Sequence, residues 1–312
     1  MLKKNNKGFL QISFAWLFAI IVGAIILSLT IFAVTKIIGT QETVIGAKTA
    51  KEIGILLNPL ETGFEIGKTT QITFPTDTRI YNKCDKEGIF GRQGIQISQK
   101  SFDKWTATDV EVSFANKYIF SGNYSEGKTF YIFSKPLEFP FKVTDLIYLT
   151  SSQDNYCFID APNQIKEELS ALDQKNIFLD ECENLENEIK VCFNSEDCEI
   201  QVNYGMKTVK KNENILHFET DALMYSAIFS DKRTYDCELQ RIMQRIEQLS
   251  QIYRDKESFI SQRGCNSNLG NNLIQLSNSA KSLTSSTNIH SVWNIAEEIR
   301  EKNDVNSRCR LW

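Results

Sequence analysis

The sequence predicts an α+β fold, and three observations carry that reading. An uncharged apolar run stands near the N-terminus, a long middle stretch is rich in alternating and β-branched residues, and the remainder has helical periodicity. The predicted architecture is a single N-terminal transmembrane and stalk helix, then a mostly antiparallel β-rich domain with a β-α-β insertion, then a C-terminal three-helix bundle. The boundaries fall at 1–8 for a cytoplasmic basic leader, 9–35 for the transmembrane helix and 36–58 for the stalk. An extracytoplasmic α+β domain takes 59–220 and an extracytoplasmic helical domain takes 221–312.

The membrane segment comes first. Gly8 to Thr35 carries no charged residue. The apolar run of about 26 residues makes roughly 39 Å of helix, enough to cross a hydrocarbon core of about 30 Å with some tilt. A secretory signal has an apolar core about half that long and a small-residue cleavage site behind it, so the segment reads as retained. Lys3, Lys4 and Lys7 precede it without an acidic neighbour, whereas Lys36, Lys48 and Lys51 beyond it are interspersed with Glu42 and Glu52. That asymmetry places the N-terminus in the cytoplasm and the bulk of the chain outside. Val44, Ile45, Ala47, Ile53, Leu56 and Leu57 then continue an apolar stripe that Asn58-Pro59 ends.

Strand signals run from Thr70 to about Thr150: TQITF, TRIYN, GIQIS, DVEVSF, TFYIF and DLIYLT, separated by turn residues. Pro136 and Pro140 bracket a short edge-like piece. YCFIDAP, NQIKEELSAL and NIFLD give the β-α-β insertion, followed by strands IKVCF, CEIQVNY, TVKK and ILHFE. In the helical region Leu239, Ile242, Ile246, Leu249 and Tyr253 form one seam, which Gly264 ends. Leu269, Leu273, Leu276 and Leu283 mark a second helix. Ile289, Val292, Trp293, Ala296 and Ile299 mark a third.

All eight cysteines lie beyond the membrane segment, an even number that reads as disulfides in an oxidising compartment. Cys192 and Cys198 flank a polar tetrad and are expected to tie a hairpin. Cys265 and Cys309 meet if the three C-terminal helices run up, down and up. The remaining four are assigned by elimination as Cys84–Cys157 and Cys182–Cys237. No CxxC occurs, and His217 and His290, the only histidines, neighbour no cysteine pair, so neither a metal site nor a cofactor is expected.

Composition and motifs narrow the function. Net charge is −4, and without the three leader lysines the rest carries about −7, which disfavours nucleic acid as a partner. Gly63 to Thr69 is one residue short of a phosphate loop and reads as a turn into a strand. No GxSxG or HExxH motif is present. His217 reads as a core or sheet-face histidine and His290 as an exposed helix-opening one. The acidic pairs Glu167-Glu168 and Glu297-Glu298 read as solvated faces, although two carboxylates for glycoside chemistry could hide among the 39 acidic residues. Asn123-Tyr124-Ser125 is a glycosylation sequon in an expected turn.

Lys3-Lys4, then Lys7-Gly8, then Phe9-Leu10-Gln11-Ile12-Ser13-Phe14 opening a long apolar helix, resemble the class III signal region of archaeal type IV pilin-like proteins. The resemblance covers about the first forty residues. It implies cleavage between Gly8 and Phe9 and assembly with copies of itself or other pilin-like subunits through Phe9 to Val34, with Gln11, Ser13 and Trp16 as candidate assembly residues. The family often has Gln directly after the cut and Glu about five residues in; here Gln11 comes later and Ser13 replaces the Glu. The segment Gly264 to Leu269 and the ending Cys309-Arg310-Leu311-Trp312 resemble archaeal membrane-anchored proteins of no assigned activity. The expected function is therefore that of a non-enzymatic, membrane-anchored surface protein, pilin-like or minor-pilin, acting in surface assembly or adhesion with the lipid bilayer as a partner. The alternative is an anchored extracytoplasmic hydrolase or solute-binding domain.

Overall fold

The structure, a computed structural model, describes residues 14–57, 69–101, 103–106, 111–180, 182, 185–193, 195 and 198–312, with the backbone alone for 37–57. The leader, the Gly8–Phe9 junction, Gln11, Ser13 and residues 63–68 of the phosphate-loop-like segment lie outside the described residues. The chain forms two compact units, Met1–Ile45 and Gly46–Trp312.

Helix α1 runs without interruption over Phe14–Leu57, through Gly39, Gly46 and Gly54. Its stretch Phe14–Lys36 has 23 residues, a mean hydropathy of 2.9 and no buried residue, and is long and apolar enough to cross a membrane. Two of its hydroxyls bond within the helix: Thr30 Oγ1 donates to the Ile26 carbonyl at 2.6 Å and Thr35 Oγ1 to the Phe32 carbonyl at 3.0 Å.

The first sheet contains β1 (Thr69–Asp85), β2 (Arg92–Ser101), β3 (Lys104–Trp105), β4 (Glu111–Phe114), β5 (Ile119–Phe120), β6 (Tyr124–Glu138) and β7 (Lys142–Ser151). The order is β3-β2-β1-β6-β7-β5, with β4 also on β2, and every pairing is antiparallel except β5 with β7. The runs TQITF and TRIYN are one strand. Pro75 between them sits in a register shift from Thr73 to Thr78, where a missing N–H costs no ladder bond. Pro136 is tolerated for a related reason: β1 pairs with β6 only as far as Phe133, so Pro136 is flanked by β7 alone.

Ile80, Ile95, Ile97, Phe130, Ile132 and Ile147 fill a small core on one face of this sheet. Side-chain amides of β1 and β2 reach β5, the strand at the far end of the sheet order. Gln93 Oε1 accepts the Ile119 N–H at 3.1 Å, Asn82 Nδ2 donates to the Ile119 carbonyl at 2.9 Å, and Gln93 Nε2 donates to Asn82 Oδ1. The two buried amides thus occupy backbone groups of β5.

The second sheet has β8 (Asn155–Ile159), β9 (Ile177–Leu179), β10 (Glu188–Phe193), β11 (Ile200–Asn203), β12 (Thr208–Lys211) and β13 (Asn214–His217), in the order β13-β12-β11-β10-β8-β9. Strand β8, helix α2 (Asn163–Ala171) and the parallel β9 form the β-α-β unit that the sequence predicts. The expected hairpin at Cys192 and Cys198 is corrected: β10 and β11 pair in parallel, Val191 with Ile200 and Phe193 with Val202. Either strand direction buries the alternating Val191, Phe193, Ile200 and Val202, so the burial pattern did not decide orientation.

Helix α3 (Asp221–Phe229) packs between the sheets, touching β6 and β7 on one side and β12 and β13 on the other. Thr220 Oγ1 caps it by accepting the Leu223 N–H at 3.3 Å. Every residue from Ala222 to Phe229 is buried. Phe229 meets Phe133, Tyr148, Tyr156 and Phe158, with centroids 5.0–6.3 Å away and mostly tilted or edge-on. Lys211 Nζ donates to the carbonyls of Ile228 and Ser230 at the helix's C-terminal end. Helices α4 (Lys232–Ser261), α5 (Gly270–Ser282) and α6 (Ile289–Val305) complete the fold with the three expected seams. Their Leu239, Ile246, Leu273 and Ile299 belong to the same apolar cluster as Phe133 and Val191, so one core, from Tyr118 to Leu311, joins strands of both sheets to the C-terminal helices.

Four disulfides lock this unit: Cys84–Cys237, Cys157–Cys182, Cys192–Cys198 and Cys265–Cys309, with Cα separations of 5.4–6.1 Å. The pairings Cys84–Cys157 and Cys182–Cys237 are therefore corrected. The parallel β-α-β unit places Cys157 opposite Phe178, just short of Cys182, and α4 carries Cys237 to the end of β1.

Candidate functional site

The described residues concentrate polar chemistry where α4 meets the β1–β2 end of the first sheet. The buried layer comes from α4. Glu238 and Arg241 lie one helical turn apart and are fully buried, with Arg241 Nη1 2.7 Å from Glu238 Oε2. The guanidinium also donates to the carbonyls of Phe90 at 3.1 Å, Lys117 at 2.8 Å and Ala115 at 3.1 Å, and lies 4.7 Å from the Tyr118 ring centroid. Arg245 Nε donates to the Val143 carbonyl at 2.6 Å and Gln244 to the Lys86 carbonyl at 2.9 Å. One helix face thus supplies donors to carbonyls of the turns and the sheet. Burial pushes the Glu238 carboxyl up to about 8 despite Arg241, and burial likewise raises the Tyr118 phenol. Gly91 lies under this layer at φ +55°, and a Cβ there would collide with the Asp85 carbonyl.

Above it opens a cleft of about 340 Å³ bordered by the Cys84–Cys237 disulfide. Lys83, Asp85, Arg92, Glu111, Asn123 and Arg233 line its walls. Lys83 Nζ is 3.2 Å from Glu111 Oε2, and Arg92 Nε is 3.1 Å from Asp85 Oδ2. A hydrogen bond from the Glu87 N–H, aided by Arg92, holds the Asp85 carboxyl below its usual range. Gly94 lets the Glu111 carboxylate lie across β2, since a Cβ there would overlap it.

Beside the cleft the outward face of the sheet carries aromatic rings. Tyr81 on β1 stands opposite Tyr124 on β6, with centroids 5.8 Å apart. Arg79 lies 3.9 Å over the Trp105 ring and 5.4 Å from that of Tyr124, and its Nε is 2.7 Å from Glu126. Tyr124 is 50% exposed.

The sequence-predicted residues are dispersed relative to this site. Cys84, Cys237 and Asn123 come together at the cleft, with Asn123 exposed in a bend before β6. Trp16 is 66% exposed on α1. Cys157, Cys182 and Glu188 bring ligand-type atoms within 4.8 Å, but both sulfurs are bound in a disulfide. His217 is partly buried in β13 and His290 is exposed, 3.0 Å from Glu219. Of the acidic pairs, Glu167 and Glu298 face solvent, whereas Glu168 is part-buried, 2.6 Å from Lys135 and bonded by the Tyr225 hydroxyl at 3.2 Å. Sequence reasoning missed Arg241, Glu238, Arg233 and the Tyr81–Tyr124 pair. The available signal was an Arg and a Glu in the apolar seam of α4 beside Leu239 and Ile242. Comparison with protein-family models, with curated proteins and with solved structures returned no match in any of the three.

Proposed function

We propose that this chain is a single-pass surface protein with a cytoplasmic N-terminus and an extracellular C-terminal domain. In this reading it serves as a pilin-like or minor-pilin subunit in surface assembly or adhesion and catalyses no reaction. The observation that carries the reading is the stretch Phe14–Lys36: 23 residues, mean hydropathy 2.9, nothing buried. Lipid, or copies of the same helix in a filament core, would cover such a surface. The four disulfides of the following unit support an oxidising compartment.

The test is the intact mass and N-terminal sequence of the chain extracted from host membranes without reductant. A chain starting at Phe9 with four disulfides is the expected result. A chain starting at Met1 overturns pilin-type processing and leaves a plain membrane anchor. Protease added to intact cells is expected to digest the C-terminal domain, and full protection would reverse the orientation.

A further inference from the structure

We infer that the cleft beside Cys84–Cys237, together with the Tyr124 ring at its edge, binds an acidic saccharide. The first support is charge. Three cations and two carboxylates line the cleft, and the pairs Lys83–Glu111 and Arg92–Asp85 neutralise four of the five. Arg233 is exposed and has no side-chain partner among the described residues. It leaves one positive charge in an otherwise balanced cleft that Asn123 also lines. A guanidinium in that position matches a carboxylate through two parallel hydrogen bonds.

The second support is shape. Tyr81 and Lys83 stand on the same face of β1, Tyr124 lies opposite Tyr81, and Asn123 beside it lines the cleft. The aromatic edge and the charged cleft are therefore continuous. Arg79, held by Glu126 and Trp105, backs the Tyr124 ring, which stays half exposed. The apolar C–H face of a pyranose covers such a ring, while its hydroxyls reach amides and paired charges. The cleft volume of about 340 Å³ falls at the small end of small-molecule sites, roughly 300–1,000 Å³. The net charge of −4 disfavours a long polyanion, so the site suits an isolated or terminal acidic sugar.

The test is calorimetry on the purified full chain in detergent. Cellobiouronate and sialyllactose serve as acidic probes, with cellobiose and lactose as their neutral counterparts. At least one acidic probe is expected to bind about tenfold more tightly than its neutral counterpart. Arg233→Ala and Tyr124→Ala, both at exposed positions, should each weaken binding about tenfold with unchanged melting, and Lys281→Ala on α5 should not. No binding of either acidic probe up to about 10 mM, equal binding of the neutral sugars, or an equal loss in Lys281→Ala overturns the assignment. A glycan found on Asn123 in host-derived protein also overturns it, because that glycan would fill the mouth of the cleft. Binding is read on the purified chain, so its failure leaves the anchoring proposal standing, and the reverse holds as well.

Discussion

Two stretches of the described residues, Phe14–Thr35 of α1 and Ala222–Phe229 of α3, carry no charge on any side, and they meet opposite fates. Phe14–Lys36 of α1 is wholly unburied, whereas Ala222–Phe229 of α3 is wholly buried. Neither has a polar stripe to turn toward water. Length separates them. The 23 residues of the first make about 35 Å of helix, a membrane's thickness, and the nine of α3 make about 14 Å, short enough for the strands of the two sheets it touches to cover. An all-round apolar helix needs an apolar medium as long as itself, and the two media make different demands on the rest of the chain.

A lysine placed in each helix breaks the comparison most sharply. Ala227 is fully buried among β-sheet side chains, so Ala227→Lys should cost more than about 4 kcal/mol and abolish cooperative melting of the unit that holds the sheets. Ile26 is 59% exposed on α1, and Ile26→Lys should cost about 3 kcal/mol of membrane insertion while that unit melts as before. Circular dichroism and membrane flotation of both variants check this. A matching loss of fold in both would mean that α1 is also held by protein packing.

The disulfides come next. Closing the 153-residue interval between Cys84 and Cys237 removes about 5 kcal/mol of denatured-state entropy in the chain-entropy account, against about 2 kcal/mol for Cys192 to Cys198. A Cys84→Ser, Cys237→Ser double variant should therefore lose roughly twice the stability of the Cys192→Ser, Cys198→Ser one in urea titrations. Neither should alter membrane association, because α1 carries no cysteine.

The same contrast explains what could be read in advance. The long N-terminal apolar helix, the C-terminal seams and the β-α-β unit were legible because each has a period or a length that only one structure satisfies. The Cys265–Cys309 pairing followed from helix direction alone. Helix α3 has no period, so its start merged into the longer helix that follows. The parallel pairing of β10 and β11 was hidden because both directions bury the same alternate residues. The cleft was the least legible part. It is assembled from β1, β2, β4, the Asn123 bend and the first turn of α4, whose residues lie as far apart as Lys83 and Arg233 and share no motif.

The smallest effect is a difference in pH response. From Phe14 to Thr35, α1 has no titratable side chain, so its membrane insertion should not change with pH. The other unit contains Glu238, fully buried beside Arg241 and Tyr118, with its carboxyl pushed up to about 8 by burial. An unfolded chain ionises this glutamate near 4.3, so above that value the unfolded state has lost a proton that the folded state retains. The contribution is full below about 4.3 and is lost as the pH rises toward about 8. Lys211, depressed to about 7 by burial, works in the other direction and only above that pH. Asp85, Asp180 and Glu298, all held below the usual carboxylate range, act under acid conditions. Between about pH 5 and 7 Glu238 therefore sets the sign, and melting temperature should fall as the pH rises. Glu238→Gln keeps the side chain's shape and cannot ionise, so that variant should lose most of this slope, while Asp154 and Glu297, whose carboxyls burial also raises, keep the remainder. A wild-type chain with no slope in this window would mean that Arg241 and its three carbonyl partners hold the carboxylate ionised, making the buried layer an ion pair throughout.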